Sequence, residues 1–217
     1  MNIRAVVLDV DGTILDTLNT ISYYVNDALR TYGFPTVPKD TVRKSVGNGA
    51  TLLIRRVLAA VGESGEDAFR RVYDLYNKEY NAAPLYLTKP FDGIPEILAA
   101  WHARGVKIGV LSNKPHEATF PLVRHFFGDT VDEVFGGRPD VPLKPDPTAL
   151  LSILRDFDIT PAELVYIGDS GVDVTLGRRV GAALTVGVLW GLREKEELTA
   201  AGADRILQTP AELSALF

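Results

Sequence analysis

The chain has 217 residues, no cysteine and a formal net charge of −5. Without cysteine there are no disulfides, thiol nucleophiles or thiolate metal sites, and the acidic balance argues against nucleic acid or an anionic membrane surface as a partner. A hydrophobic content of 46% supports one large core, or a core carrying an insertion.

The first predicted element is a buried strand over Ile3 to Leu8, an aliphatic run that leads into Asp9-Val10-Asp11-Gly12-Thr13. It contains one early arginine and does not read as a signal peptide, and no apolar run is long enough to span a bilayer, so the expected location is cytoplasmic. Strand alternation would put Asp9 and Asp11 on one side. At ~4 Å and an effective dielectric of about 20, two such charges repel by about 4 kcal/mol. Either a divalent cation or a reaction using both acids offsets that repulsion, or the strand simply ends in an Asp-Gly turn.

After Thr13 the apolar period becomes helical. Leu18, Ile21, Val25, Ala28, Leu29 and Tyr32 mark a helix closed by Gly33. Further helices are expected from Asp40 to Val46, from Ala50 to Val61 and from Glu66 to Ala82, with Gly47-Asn48-Gly49 between the first two. The aromatic stripe of the last helix reads as packing. From Pro90 onward helices and strands alternate. Helices are expected at Ile94–Arg104, Glu117–Phe127, Thr148–Phe157, Val172–Val180, Glu194–Ala201 and Pro210–Leu216. Strands are expected at Val106–Leu111, Val134–Phe135, Leu164–Ile167, Leu184–Leu189 and Asp204–Leu207. This alternation predicts an α/β fold with a Rossmann-like parallel sheet. Residues 1–15 and 84–217 would form the core, and residues 16–83 a helical subdomain inserted after the first strand.

Ligands of such sheets bind beyond the carboxyl ends of the strands. There this sequence carries Asp9 and Asp11, then Ser112-Asn113-Lys114, then Gly168-Asp169-Ser170 with Asp173, and Lys144 lies between the last two segments in Lys144-Pro145-Asp146-Pro147. Taken singly, Asp169 reads as a helix cap, Asp173 as a first-turn acid and Lys144 as a solvated lysine. Taken together they suit phosphate chemistry. Asp9 and Asp169 offer hard oxygen ligands for Mg2+. Ser112 and the N–H groups after it suit phosphate oxygens if that segment opens a helix, and Lys144 adds a compact positive charge.

The ordered set Asp9-Val10-Asp11-Gly12-Thr13, Ser112, Lys144 and Gly168-Asp169-Ser170 with Asp173 resembles the four motifs of the haloacid dehalogenase-like superfamily, over essentially the whole chain. The helical insertion is similar to that superfamily's α-helical cap. Within the superfamily the chain resembles the phosphoglycolate phosphatase group at Val46-Gly47-Asn48-Gly49-Ala50, Leu111-Ser112-Asn113-Lys114-Pro115, Lys144-Pro145-Asp146-Pro147 and Gly187-Val188…Trp190-Gly191. The resemblance implies that Asp9 is the nucleophile and forms an aspartyl-phosphate. Asp11 would be the acid and base, with its backbone carbonyl on the metal. Asp169 would be a further ligand of Mg2+, with Asp173 supporting it or Lys144, and Ser112, Asn113 and Lys144 would bind phosphate. Superfamily dehalogenases lack an acid at the position of Asp11, so carbon–halogen hydrolysis is disfavoured.

The expected partner is a small phosphorylated substrate, and the expected assembly a monomer or homodimer. The same machinery also serves pyrophosphatases, sugar-phosphate phosphatases and mutases resembling β-phosphoglucomutase; a non-catalytic phosphate-binding protein is the outside alternative. In the insertion, Gly47, Asn48 and Gly49 are expected to reach over the site, and one of Arg43, Lys44, Arg55 and Arg56 to meet a substrate carboxylate. His102, His116, His125, Trp101 and Trp190 are expected to be structural. Arg193-Glu194-Lys195-Glu196-Glu197 is expected to be a solvated helix start.

Overall fold

The structure is a computed structural model that describes residues 2–216. The chain opens with β1 (Ala5–Leu8) and β2 (Leu15–Asp16), followed by four helices, α1 (Leu18–Thr31), α2 (Lys39–Ser45), α3 (Gly49–Ala60) and α4 (Glu66–Ala82). It continues through β3 (Lys89–Pro90), α5 (Ile94–Ala103), β4 (Lys107–Pro115), α6 (His116–Phe127), β5 (Glu133–Gly137) and α7 (Thr148–Asp156). It ends with β6 (Leu164–Gly168), α8 (Gly171–Val180), β7 (Leu184–Val188), α9 (Lys195–Ala201), β8 (Arg205–Leu207) and a 3-10 turn over Pro210–Ala215.

All four residues of β1 are buried. A strand apolar on both faces needs a partner on each edge and a layer on each side. Among the described residues β1 lies inside a six-stranded parallel sheet of order β5-β4-β1-β6-β7-β8. Val6 and Leu8 point into a cluster with Ile94, Leu98 and Trp101 of α5 and Leu122 and Val123 of α6. Val7 points the other way, to Leu150, Ile153 and Leu154 of α7 and Leu176 of α8. The chain moves from β1 outward to β4 and β5, then returns to β6, β7 and β8 on the other side. Such a reversal opens a crevice beyond the strand ends, here those of β1, β4 and β6.

Helices α1 to α4 are inserted between β2 and β3, which pair as a short antiparallel ribbon, Leu15 with Pro90 and Asp16 with Lys89. They bury their own apolar cluster, including Val25, Leu29, Val42, Ile54, Val57, Val72 and Tyr76. None of the described helices is long and apolar enough to cross a membrane.

Several expected boundaries shift. The ribbon of β2 and β3 was not anticipated, because two residues carry no readable period. The strand expected to stop at Leu111 runs on to Pro115, with its pairing to β5 shifting register between Leu111 and Pro115. Ser112, Asn113 and Lys114 therefore lie in irregular strand, and α6 begins only at His116. They do not form the helix opening on which the phosphate argument relied. The last expected helix is a 3-10 turn.

Candidate active site

β1 ends at Leu8, before either acid of the first motif. Asp9 still donates its N–H to the Ile167 carbonyl at 3.0 Å, which keeps it beside β6. The chain then wraps around the Val10 carbonyl, which accepts from the N–H groups of Thr13, Ile14 and Leu15. This turn, and not strand alternation, brings Asp11 to the same cleft as Asp9. Gly12 sits in it at φ +84°, and a Cβ there would overlap the Asp169 carboxylate. A side chain at Gly191 would strike Asp169 as well.

The cleft is partly open to solvent. Asp9, Asp11, Ser112, Lys114 and Asp169 line its sheet side; Ile21, Val46, Ala50, Leu53 and Tyr76 line its helical side. Gly47 and Gly49 also reach it, whereas Asn48 between them does not. Lys144 lies behind Asp9, outside the lining.

Lys144 is fully committed. Its Nζ donates to the Leu111 carbonyl at 3.0 Å and to Asp173 Oδ1 at 2.7 Å, and stands 2.8 Å from Asp9 Oδ1. Burial opposes its charge, but the carboxylates of Asp173 and Asp9 outweigh that and hold its pKa well above the usual lysine range. Asp173 is equally committed. Besides Lys144, it accepts from the Tyr166 hydroxyl at 3.3 Å and from the Ser170 hydroxyl at 2.5 Å. Ser170 and Asp173 also close a reciprocal capping box that starts α8.

The carboxyl groups of Asp9, Asp169 and Asp173 lie close enough that one oxygen of each is within 4.8 Å of the others. Burial, partly opposed by Lys144 and reinforced by Asp173, pushes Asp9 up to about 6. Burial and the charges of Asp9 and Asp173 raise Asp169 well above the usual carboxylate range. A bound cation would relieve this strain. The donor set fits a hard divalent ion. Among the described residues the buried Asp9 Oδ1 accepts no hydrogen bond, although Lys144 Nζ stands 2.8 Å away. Among the described residues Asp169 is held by one donor, the Leu192 N–H on Oδ2 at 2.6 Å. Asp173, with both oxygens taken, is better placed to support the site than to bind the ion.

Asp11 stands apart from that trio. Its carboxylate accepts from the Thr17 hydroxyl at 2.7 Å and from Lys114 Nζ at 3.0 and 3.2 Å. Lys114 in turn lies 4.3 Å above the ring of Tyr80. Ser112 is buried in the cleft wall, its Oγ accepting a long bond from the Lys114 N–H. The Asn113 side chain is a brace: its Nδ2 donates to the carbonyls of Gly47 and Lys144, and its Oδ1 accepts from the Lys144 N–H at 2.7 Å. Any phosphate contact from Asn113 is thus left to its backbone.

The four cations of the insertion, one of which was expected to meet a substrate carboxylate, all face elsewhere. Arg43 holds Asp40, Glu194 and the Leu192 carbonyl, and Lys44 holds Asp40. Arg55 holds Glu66, and Arg56 donates to the Ser45 carbonyl. None lines the cleft. Arg193, expected to be solvated, does line it. It donates to the carbonyls of Arg43 at 2.8 Å and Val46 at 2.6 Å, tying the helical insertion to the loop after β7. His116 is structural, its Nδ1 accepting from the Gly136 N–H at 3.2 Å. Thr17 and the Leu192 N–H carry no signal in the sequence, and Tyr76 and Tyr80, expected only to pack, lie in or against the cleft.

The family model for a haloacid dehalogenase-like hydrolase matches residues 3–181. A phosphoglycolate phosphatase of Nitrosospira multiformis is 31% identical over 218 residues, covering 99% of this chain and 96% of that protein. Another, of Aquifex aeolicus, is 30% identical over 216 residues, covering 99% and 96%. A crystal structure described as a predicted phosphoglycolate phosphatase from Haemophilus somnus superposes with a TM-score of 0.93 at 23% identity, covering 100% of this chain and 98% of its own.

Proposed function

The chain belongs to the haloacid dehalogenase-like hydrolases, and from that premise we propose that it hydrolyses a small phosphate monoester, of the phosphoglycolate type, through an aspartyl-phosphate on Asp9. The observation that carries this reading is the meeting of Asp9, Asp11, Ser112, Lys114 and Asp169 in one cleft, with Lys144 behind Asp9.

In this reading a carboxylate oxygen of Asp9 attacks phosphorus as the ester bond breaks, and the Asp11 carboxyl gives its proton to the departing alkoxide. Asp11 then takes a proton from water, whose oxygen attacks phosphorus. Asp9 leaves as the free carboxylate and orthophosphate is released. Lys144 keeps Asp9 oriented and offsets charge beside it, while Asp173 and Tyr166 hold Lys144 still. Asp9, Asp169 and the Asp11 carbonyl would hold Mg2+, which when bound offsets the charge of the phosphoryl oxygens. Ser112 contributes a hydroxyl to those oxygens.

The helical insertion acts as a cap in this reading, and its wall argues for a small leaving group. Ile21, Val46, Ala50 and Leu53 supply no hydrogen-bonding side chains, and Tyr76 supplies a single hydroxyl. A sugar buried there would leave several hydroxyls unpaired, at about 1–3 kcal/mol each.

The test is orthophosphate release from a panel of phosphoglycolate, sugar phosphates, pyrophosphate and an aryl phosphate, with Mg2+ and with chelator, for the wild type and Asp9→Asn. The expected result is metal-dependent release, without a bisphosphate activator, that Asp9→Asn lowers by on the order of 1000-fold or more. An Asp9→Asn protein as active as the wild type removes Asp9 from the reaction.

A further inference from the structure

We propose that Lys114 is the specificity-determining residue for the leaving group, and that it binds a carboxylate carried on the carbon next to the ester oxygen. The inference rests on reading the site as a phosphate-ester hydrolase, and it replaces the cap cations as the source of recognition.

Among the described residues three cations lie in or against the cleft, and two are committed to protein groups. Lys144 donates to the Leu111 carbonyl and to Asp173, and is ion-paired with Asp9 behind the cleft lining. Arg193 is taken up by the carbonyls of Arg43 and Val46 and by Glu197, which lies 3.3 Å from its Nε. Lys114 differs. Its side chain is 5% exposed, so its charge is felt strongly, yet its Nζ bonds one carboxylate, that of Asp11, and otherwise faces the Tyr80 ring. An ammonium group has three donors. One remains for a second anion, beside apolar walls that keep the local dielectric low.

Position selects the ligand. In the proposed reaction Asp11 stands beside the ester oxygen, so a cation bonded to Asp11 lies on the leaving-group side of phosphorus. A carboxylate whose carbon is two bonds from that oxygen falls within its reach. The substrate class is therefore phosphate esters of small 2-hydroxy carboxylic acids. A second phosphate on a longer carbon chain would need a cation deeper in the cap, where the cleft wall is Ile21, Leu53 and Tyr76.

The experiment compares kcat/KM for 2-phosphoglycolate and for ethyl phosphate, which has the same leaving oxygen and no carboxylate, in the full chain with Mg2+. The wild type is expected to prefer phosphoglycolate, and Lys114→Met to lower that preference by on the order of 100-fold, mostly through KM. Lys114→Arg should restore part of it. An unchanged preference in Lys114→Met overturns the proposal. Should Lys114→Met fail to fold, wild-type inhibition decides: 3-phosphonopropionate should bind far more tightly than propylphosphonate, and equal inhibition constants overturn the proposal. A wild type that hydrolyses both esters equally removes the role of Lys114 and leaves the hydrolase reading intact, whereas one that hydrolyses neither ester nor any other phosphate refutes both.

Discussion

Burial pushes the Asp9 carboxyl up to about 6 despite Lys144 at 2.8 Å, and burial with neighbouring charge raises Asp169 as well. The folded chain therefore holds protons that the unfolded chain releases near the ordinary carboxylate pKa of about 4. Between those two values the folded state binds more protons, so rising pH lowers the stability of the metal-free protein. A divalent cation competes with these protons and is favoured once they have left. Millimolar Mg2+ should thus raise the melting temperature little at about pH 5 and clearly at about pH 7.5. Calorimetry at both pH values checks this; equal shifts, or none at the higher pH, would contradict it. The acids themselves were legible as residue types at strand ends. Their partners were not: Thr17 and Leu192 meet the site through turns that no local pattern announces, and Tyr80 from a helix whose period is readable but whose placement against Lys114 is not.

At the scale of elements, the turn over Val10 to Leu15 does more than the strand before it. Gly12 has two separate requirements there, a φ of +84° and room for the Asp169 carboxylate. Gly33 has a similar φ of +76° at the end of α1, with no atom near its missing Cβ. The comparison separates the two requirements. Gly33→Ala should cost about 1 kcal/mol, from the left-handed backbone alone. Gly12→Ala should cost at least about 2 kcal/mol more and should also abolish stabilisation by Mg2+, because Asp169 must move. Thermal unfolding of both variants with and without Mg2+ checks this; equal costs, or a retained Mg2+ response in Gly12→Ala, would contradict it. The helices and the parallel sheet were legible because their apolar periods are long and clear, as in α4, whose expected bounds Glu66–Ala82 match. The irregular end of β4 was not, because Ser112-Asn113-Lys114 has no period and its path depends on pairing with Gly137 of β5.

Across the whole molecule, function depends on segments more than a hundred residues apart meeting at the reversal of the sheet. Motif order made the sheet side of the site legible. The contact between helical insertion and core was not, since Arg193 reaches carbonyls of Arg43 and Val46, and Asn113 reaches that of Gly47, across distances in sequence that leave no trace in composition or spacing. The same long-range pairing turned Arg43 toward Glu194 and the Leu192 carbonyl and away from the cleft. In the proposed reaction this convergence serves one chemical event, a bond between an Asp9 oxygen and phosphorus. The most direct measurement is acid quenching of the enzyme within milliseconds of mixing with phosphoglycolate and Mg2+, followed by mass spectrometry of its peptides. An acyl-phosphate is expected on the peptide carrying Asp9, formed and lost at rates compatible with turnover and absent from Asp9→Asn. Phosphate found on another residue, or turnover with no phosphorylated protein at any time, would contradict it.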